Sequence, residues 1–200
     1  MKIVAICGID GSGKTTQIKM LEDFFTKEEV KTYFTKSPTD WYRNDLRVRE
    51  YLRGELEENS QLIDELALLS ACDKLRQYQL DIMGKEYEFV FFDRYIYSAY
   101  AYFMCRGMSL ERIEVLNSVI PKPDITIYID VDEKLAYNRI LVRDEYTRNI
   151  EEGNILFLKK VRDIFLRQPW GENKSYHIVD GECAKEQVFS SILHILNEYR

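Results

Sequence analysis

Histidine and cysteine are scarce in this chain, two of the first and four of the second among 200 residues. Cys7, Cys72, Cys105 and Cys183 lie far apart without a CxxC pair, and only His177 and His194 could join them. That spacing excludes a zinc cluster and a disulfide framework, so reduced thiols and a cytoplasmic location are expected. Proline is rare as well, and no Pro/Gly-rich linker, repeat or low-complexity tract divides the sequence. No apolar run approaches the ~20 residues a membrane helix needs. Residues 1–25 do not read as a secretion signal, because Ile3–Cys7 is short and runs straight into glycines. A surplus of basic residues is also missing. The formal net charge of −6 argues against a nucleic-acid polymer as partner, since phosphate-backbone binding needs a basic surface. A small anionic substrate stays open if basic residues gather in one cleft.

What remains is a chain rich enough in apolar residues to pack a core, 46% by count, and of a length that suits one domain over 1–200. Short β-rich runs alternate with longer amphipathic stretches. The strands expected are Lys2–Cys7, Lys31–Thr35, Phe89–Phe92, Ile125–Ile129 and Tyr176–Val179. Most are continuous apolar runs, the mark of strands buried on both faces of a parallel sheet. Helices are expected at Lys14–Thr26, Ser60–Gly84, Leu110–Val119, Glu133–Arg143 and Ile155–Arg167, with a last one carrying Val188, Ile192, Ile195 and Tyr199 on one stripe. The pattern predicts an α/β three-layer sandwich around a five-stranded parallel sheet, with ligands at the carboxyl ends of the strands.

Those ends carry the motifs. Gly8-Ile9-Asp10-Gly11-Ser12-Gly13-Lys14-Thr15 fits GxxxxGK[ST] between a strand and a helix, the setting of a phosphate-binding P-loop. Gly8, Gly11, Ser12, Gly13, Thr15 and Thr16 would surround the phosphates with main-chain N–H groups and hydroxyls. Lys14 would hold the β- and γ-phosphates of ATP, and Thr15 would offer its hydroxyl to Mg²⁺. Asp93, closing the apolar run Phe89–Phe92, is the expected second Mg²⁺ carboxylate, and Arg94 puts a guanidinium suited to phosphate beside it. Arg139, Arg143 and Arg148 fall at a helix end and in the polar segment that follows. That segment, about 143–153, reads either as a lid over the phosphates or as a solvated charged face.

Taken together, GIDGSGKTTQ at 8–17, Asp93-Arg94-Tyr95 with Ser98 and Ala101-Tyr102, Pro-Lys-Pro-Asp at 121–124 and the arginine-bearing segment resemble the thymidylate kinase family. The resemblance spans nearly the whole chain. It implies Mg²⁺-ATP-dependent phosphorylation of deoxythymidine monophosphate in a homodimer. It implies that Asp10 contacts the acceptor sugar, that Arg94 and, after one inserted residue, Arg49 bind the acceptor phosphate, and that Pro38 shapes the site. Tyr102 would crowd a 2′-hydroxyl. Arg139 would lie at the nucleotide, and Arg143 and Arg148 would supply transition-state charge, because Gly11 stands where some members carry an arginine.

The departures all fall on the acceptor side. Ser70 stands where the family usually has a Phe stacked on thymine, and Lys74 where it has an Arg contacting the base. Ser37 replaces a common Glu, and Phe103 a common Gln or Ser. Tyr100, Trp41 and Tyr42 are candidates for a replacement platform. Alternatives to thymidylate are therefore another pyrimidine nucleotide, a deoxynucleoside, or a homologue that binds nucleotide without turnover. The absence of an NKxD sequence between Pro121 and Asp130 sets a guanine-specific switch aside.

Overall fold

The computed structural model describes residues 1–143, 149–171 and 174–200, with the backbone but not the side chain of Arg143. Five strands, β1 (Lys2–Cys7), β2 (Thr32–Lys36), β3 (Phe89–Asp93), β4 (Ile125–Asp130) and β5 (Tyr176–Asp180), form one parallel sheet in the order β2-β3-β1-β4-β5. The three central strands are the continuous apolar runs. On the edges, β5 is buried only at Tyr176 and Val179 and β2 is only half-buried, since neighbours cover an edge strand less completely. The last three strands reach one residue beyond the expected ends and take in Asp93, Asp130 and Asp180.

The helices are α1 (Lys14–Lys27), α2 (Asp40–Arg43), α3 (Leu46–Leu52), α4 (Ser60–Gln77), α5 (Ile96–Cys105), α6 (Leu110–Asn117), α7 (Glu133–Arg143), α8 (Ile155–Arg167) and α9 (Lys185–Asn197). Helices α1 and α9 pack together on one side of the sheet. Phe25 of α1 lies against Phe89 and Phe91 of β3, with ring centres 5.6 and 5.3 Å apart. Helices α4, α5, α6 and α8 form the other layer, where Phe165 of α8 stacks on Tyr128 of β4 at 4.7 Å.

Three helices were not expected from the pattern. Seven of the ten residues of α5 are buried, so it has no amphipathic stripe to read. Helices α2 and α3 are short, and local caps define them: the Thr39 side chain accepts from Trp41 N, and that of Asp45 from Arg47 N and Val48 N. The long stretch expected to run to Gly84 leaves α-geometry after Gln77 and passes through a π-helical turn, Tyr78–Ile82.

The order of strands reverses at β1, with β3 on one side and β4 on the other. The carboxyl ends of these three strands therefore open a crevice at the point where open α/β sheets bind ligands. The register sets Asp93 beside Ile6, so the end of β3 lies against the start of the Gly8–Thr15 loop.

Candidate active site

The loop after β1 is shaped by its main chain. Gly13 adopts φ +91° as the N-cap of α1 and offers no side chain to cap it, which leaves the first N–H groups of the helix available to an anion. Gly11 has φ +81°, and a Cβ there would overlap the backbone carbonyl of Ala136 on α7. An arginine therefore cannot stand at position 11 without displacing α7. Arg139, one turn along α7, lies there instead, its Nη1 3.4 Å from the Gly11 carbonyl and its Nη2 3.4 Å from that of Gly181. Lys14 is buried, and its ammonium turns onto the loop itself, donating to Ile9 O at 2.8 Å, Gly8 O at 3.1 Å and Ser12 Oγ at 3.4 Å. Burial first, and then the Arg94 charge, lower its pKa to about 8, against the pull of Asp10 and Asp93. Thr15 and Thr16 are exposed on the first turn of α1.

At the end of β3 the chain turns sharply. Arg94 takes φ +66°, a left-handed conformation that costs a branched or long side chain energy and is characteristic of functional sites. The turn sends its guanidinium back across the loop, where Nη2 donates to Asp10 Oδ1 at 2.5 Å and Nη1 to Gly8 O at 3.2 Å. Tyr102 of α5 donates its hydroxyl to the other Asp10 oxygen at 2.9 Å, and the Arg94 guanidinium lies over its ring at 4.9 Å. Burial alone would raise the Asp10 pKa. The charges of Arg94 and Lys14 and the two hydrogen bonds overcome that and hold the carboxyl well below its usual range. Asp10 is thus an ionised anchor rather than a proton donor.

These three side chains form one end of a cleft of ≈ 750 Å³, its open mouth included, a volume suited to a small molecule. Its other walls come from the loop of Ser37 and Pro38, joined by a cis bond, and from α2, α4, α5 and residues 149–152. The α4 side chains hold the loop in place: Asp73 accepts from Thr39 N at 2.8 Å and from the Thr39 hydroxyl, and Gln77 donates to Lys36 O at 3.0 Å. Two hydroxyls on the cleft wall, those of Ser37 and Tyr95, are buried without a hydrogen-bond partner among the described residues.

Most of the residues expected on the acceptor side meet here. Asp10, Pro38, Ser70, Lys74, Arg94, Ser98 and Tyr102 all line the cleft. Arg49 does not: it is exposed on α3 and outside the lining. The second arginine of the cleft is Arg43, whose Nε donates to Pro38 O at 2.8 Å. Burial and the repulsion of Arg94 lower its pKa. Two guanidiniums that repel one another across a cleft fit an anion between them. The signal for Arg43 was its position just past Pro38, but without the unforeseen α2 nothing aimed it inward. Among the aromatic candidates, Tyr42 lines the cleft, Tyr100 is buried edge-on to Trp170, and Trp41 borders a neighbouring hollow under Arg76. Phe103 lines the cleft as well. Arg148 and the side chain of Arg143 lie outside the described residues.

Sequence reasoning missed the ion pair of the far wall. Arg106, just past α5, makes a two-pronged bond to Glu151, with Nε–Oε1 at 2.7 Å and Nη2–Oε2 at 2.9 Å. Both side chains are only 8% exposed. The guanidinium lies between the rings of Phe103 and Tyr51, 4.7 and 5.2 Å from their centres, and Tyr51 donates to Glu151 at 3.1 Å. No short-range pattern links residues 45 positions apart.

A divalent cation would find partial ligation at the loop. Asp93 is buried and its Oδ1 has no hydrogen-bond partner among the described residues, while Thr15 presents a hydroxyl at the start of α1. One carboxylate and one hydroxyl, completed by phosphate oxygens and water, suit Mg²⁺.

A glycine-rich strand–loop–helix phosphate cradle opening onto an arginine-lined cleft, on a parallel sheet with β1 central, defines a P-loop phosphotransferase of the nucleotide-kinase class. The thymidylate kinase family model matches residues 6–192. A probable thymidylate kinase of Pyrobaculum aerophilum is 35% identical over 199 residues, covering 98% of this chain and 96% of the relative. One from Pyrococcus abyssi is 33% identical, covering 96% and 94%, and a thymidylate kinase of Caldanaerobacter subterraneus subsp. tengcongensis is 30% identical, covering 99% and 96%. The chain belongs to the thymidylate kinase family. Among the described residues no helix is long and apolar enough to cross a membrane.

Proposed function

We propose that this protein transfers the γ-phosphoryl group of ATP to deoxythymidine monophosphate. The observation that carries the reading is the Asp10–Arg94–Tyr102 cluster at the junction of phosphate loop and cleft. It puts a fixed cation between the donor loop and the space where Arg43 converges with it. An acceptor phosphate oxygen would attack the γ-phosphorus as the bond to the β–γ bridging oxygen breaks. Catalysis then consists of alignment and charge neutralisation, with no covalent intermediate. Lys14 leaves its loop carbonyls for the β- and γ-phosphates. Arg94 and Arg43 would hold the acceptor phosphate, which favours a phosphorylated acceptor over a nucleoside. Asp10 keeps Arg94 in place and would meet the sugar, where Tyr102 would crowd a 2′-hydroxyl.

Thr15 and Asp93 would hold Mg²⁺, which supplies charge neutralisation at the phosphates. Arg139 would lie along the nucleotide, and Arg143 and Arg148 would add positive charge at the γ-phosphate. The protein would act in the cytoplasm, as one domain per chain. Light scattering that gives twice the chain mass would support the homodimer.

A coupled ADP-release assay over ribo- and deoxynucleoside monophosphates tests the substrate. Thymidylate should give the highest kcat/KM. Another monophosphate that outruns it by about tenfold, a difference small contacts can produce, would move the assignment.

A further inference from the structure

Lys74 is among the largest fully buried side chains of the protein, yet it has no carboxylate partner among the described ion pairs. The adjacent carboxylate, Asp73, is committed to Thr39 instead. Of the three ammonium N–H groups, one donates to Ser70 Oγ at 2.6 Å and one to Ser70 O at 2.9 Å, across a single turn of α4. One donor is left without an acceptor among the described residues, and the residue lines the cleft. A buried ammonium with a spare N–H requires an acceptor, because leaving it unmet costs free energy.

We propose that Ser70 is a positioning residue, and that Ser70 and Lys74 act as one unit presenting a single ammonium N–H to a carbonyl of the acceptor base. The inference rests on the cleft being the acceptor site. It also changes the meaning of Ser70. Beside Lys74 a serine is the anchor that fixes a flexible four-carbon stem, whereas an arginine, with a planar fork, would not need one. A phenylalanine at 70 would take away the hydroxyl and leave Lys74 without its side-chain anchor.

The test is steady-state kinetics with thymidylate at saturating ATP on wild type, Ser70→Ala, Ser70→Thr, Lys74→Met, the double variant Ser70→Ala/Lys74→Met, and Ser70→Phe. Lys74→Met should raise KM for thymidylate by about tenfold to a hundredfold, as expected for a charged hydrogen bond, with most of the loss in KM rather than kcat. Ser70→Ala should raise it severalfold, Ser70→Thr should restore it, and Ser70→Ala should add nothing once Lys74 is Met. Ser70→Phe alone should weaken the acceptor. The proposal is overturned if Ser70→Ala keeps the wild-type KM, if its effect is undiminished in the Lys74→Met background, or if Ser70→Phe tightens thymidylate. A wild-type protein that does not turn over thymidylate would refute the substrate assignment instead. Equal melting temperatures for the alanine and threonine variants separate the effect from unfolding.

Discussion

The donor and acceptor halves of this site are built in different ways. The donor half is main chain: a run of nine residues, Gly8–Thr16, whose glycine angles and helix N-terminus make the cradle. The acceptor half is side chain, drawn from positions between Asp10 and Glu152 on the P-loop, the β2–α2 loop, α2, α4, α5 and the stretch after α7. A main-chain site depends on a contiguous sequence, and every residue in it is constrained at once. A side-chain site can exchange one group for another as long as the cleft keeps its chemistry. All the departures from the family pattern, Ser37, Ser70, Lys74 and Phe103, fall in the second half, and all four line the same cleft.

The comparison can be broken most severely at its far wall. Arg106→Met leaves Glu151 buried without its partner, which typically costs about 3–5 kcal/mol. A thermal melt should fall by roughly 6–20 °C for a chain of this size. Replacing both partners, Arg106→Met with Glu151→Leu, should recover most of that loss while KM for thymidylate stays raised. A single variant that melts like wild type would show that the pair bears little on the fold.

At the donor loop, Lys14→Ala should lower kcat by about 10²–10³, the loss typical of removing one transition-state donor, with the melting temperature nearly unchanged. Near-normal turnover by the folded variant would remove the phosphate-loop mechanism.

The two arginines near the acceptor end should separate cleanly. Arg43→Ala should raise KM for thymidylate by about tenfold or more, since a charged hydrogen bond is lost from a partly buried site. Arg49→Ala, on the exposed side of α3, should change KM little. The reverse outcome would return the phosphate contact to α3.

A last test of the comparison is Gly11→Ala. It adds a methyl at a left-handed position, a backbone strain of about 1–3 kcal/mol, and sets it against the Ala136 carbonyl so that α7 must shift. KM for ATP should rise with little change in KM for thymidylate. An equal rise in both would mean that the two halves are not independent at the loop.

The phosphate loop and the layer plan are legible in the order of the amino acids alone. Continuous apolar runs marked the central strands β1, β3 and β4, because burial on both faces removes polar residues from every position. GxxxxGKT between the first strand and helix marked the loop, because its backbone angles demand those glycines in that order. The rest emerges only when the chain packs. Helix α5 was hidden because it is apolar on nearly all sides, and α2 because four residues carry no period. Arg43 lines the cleft and Arg49 does not, because α2 aims Arg43 inward. Arg106 meets Glu151 because the end of α5 and the residues after α7 converge in space. Lys74 is committed to Ser70 because one helical turn brings them together on a buried face, a contact that spacing permits and only packing enforces.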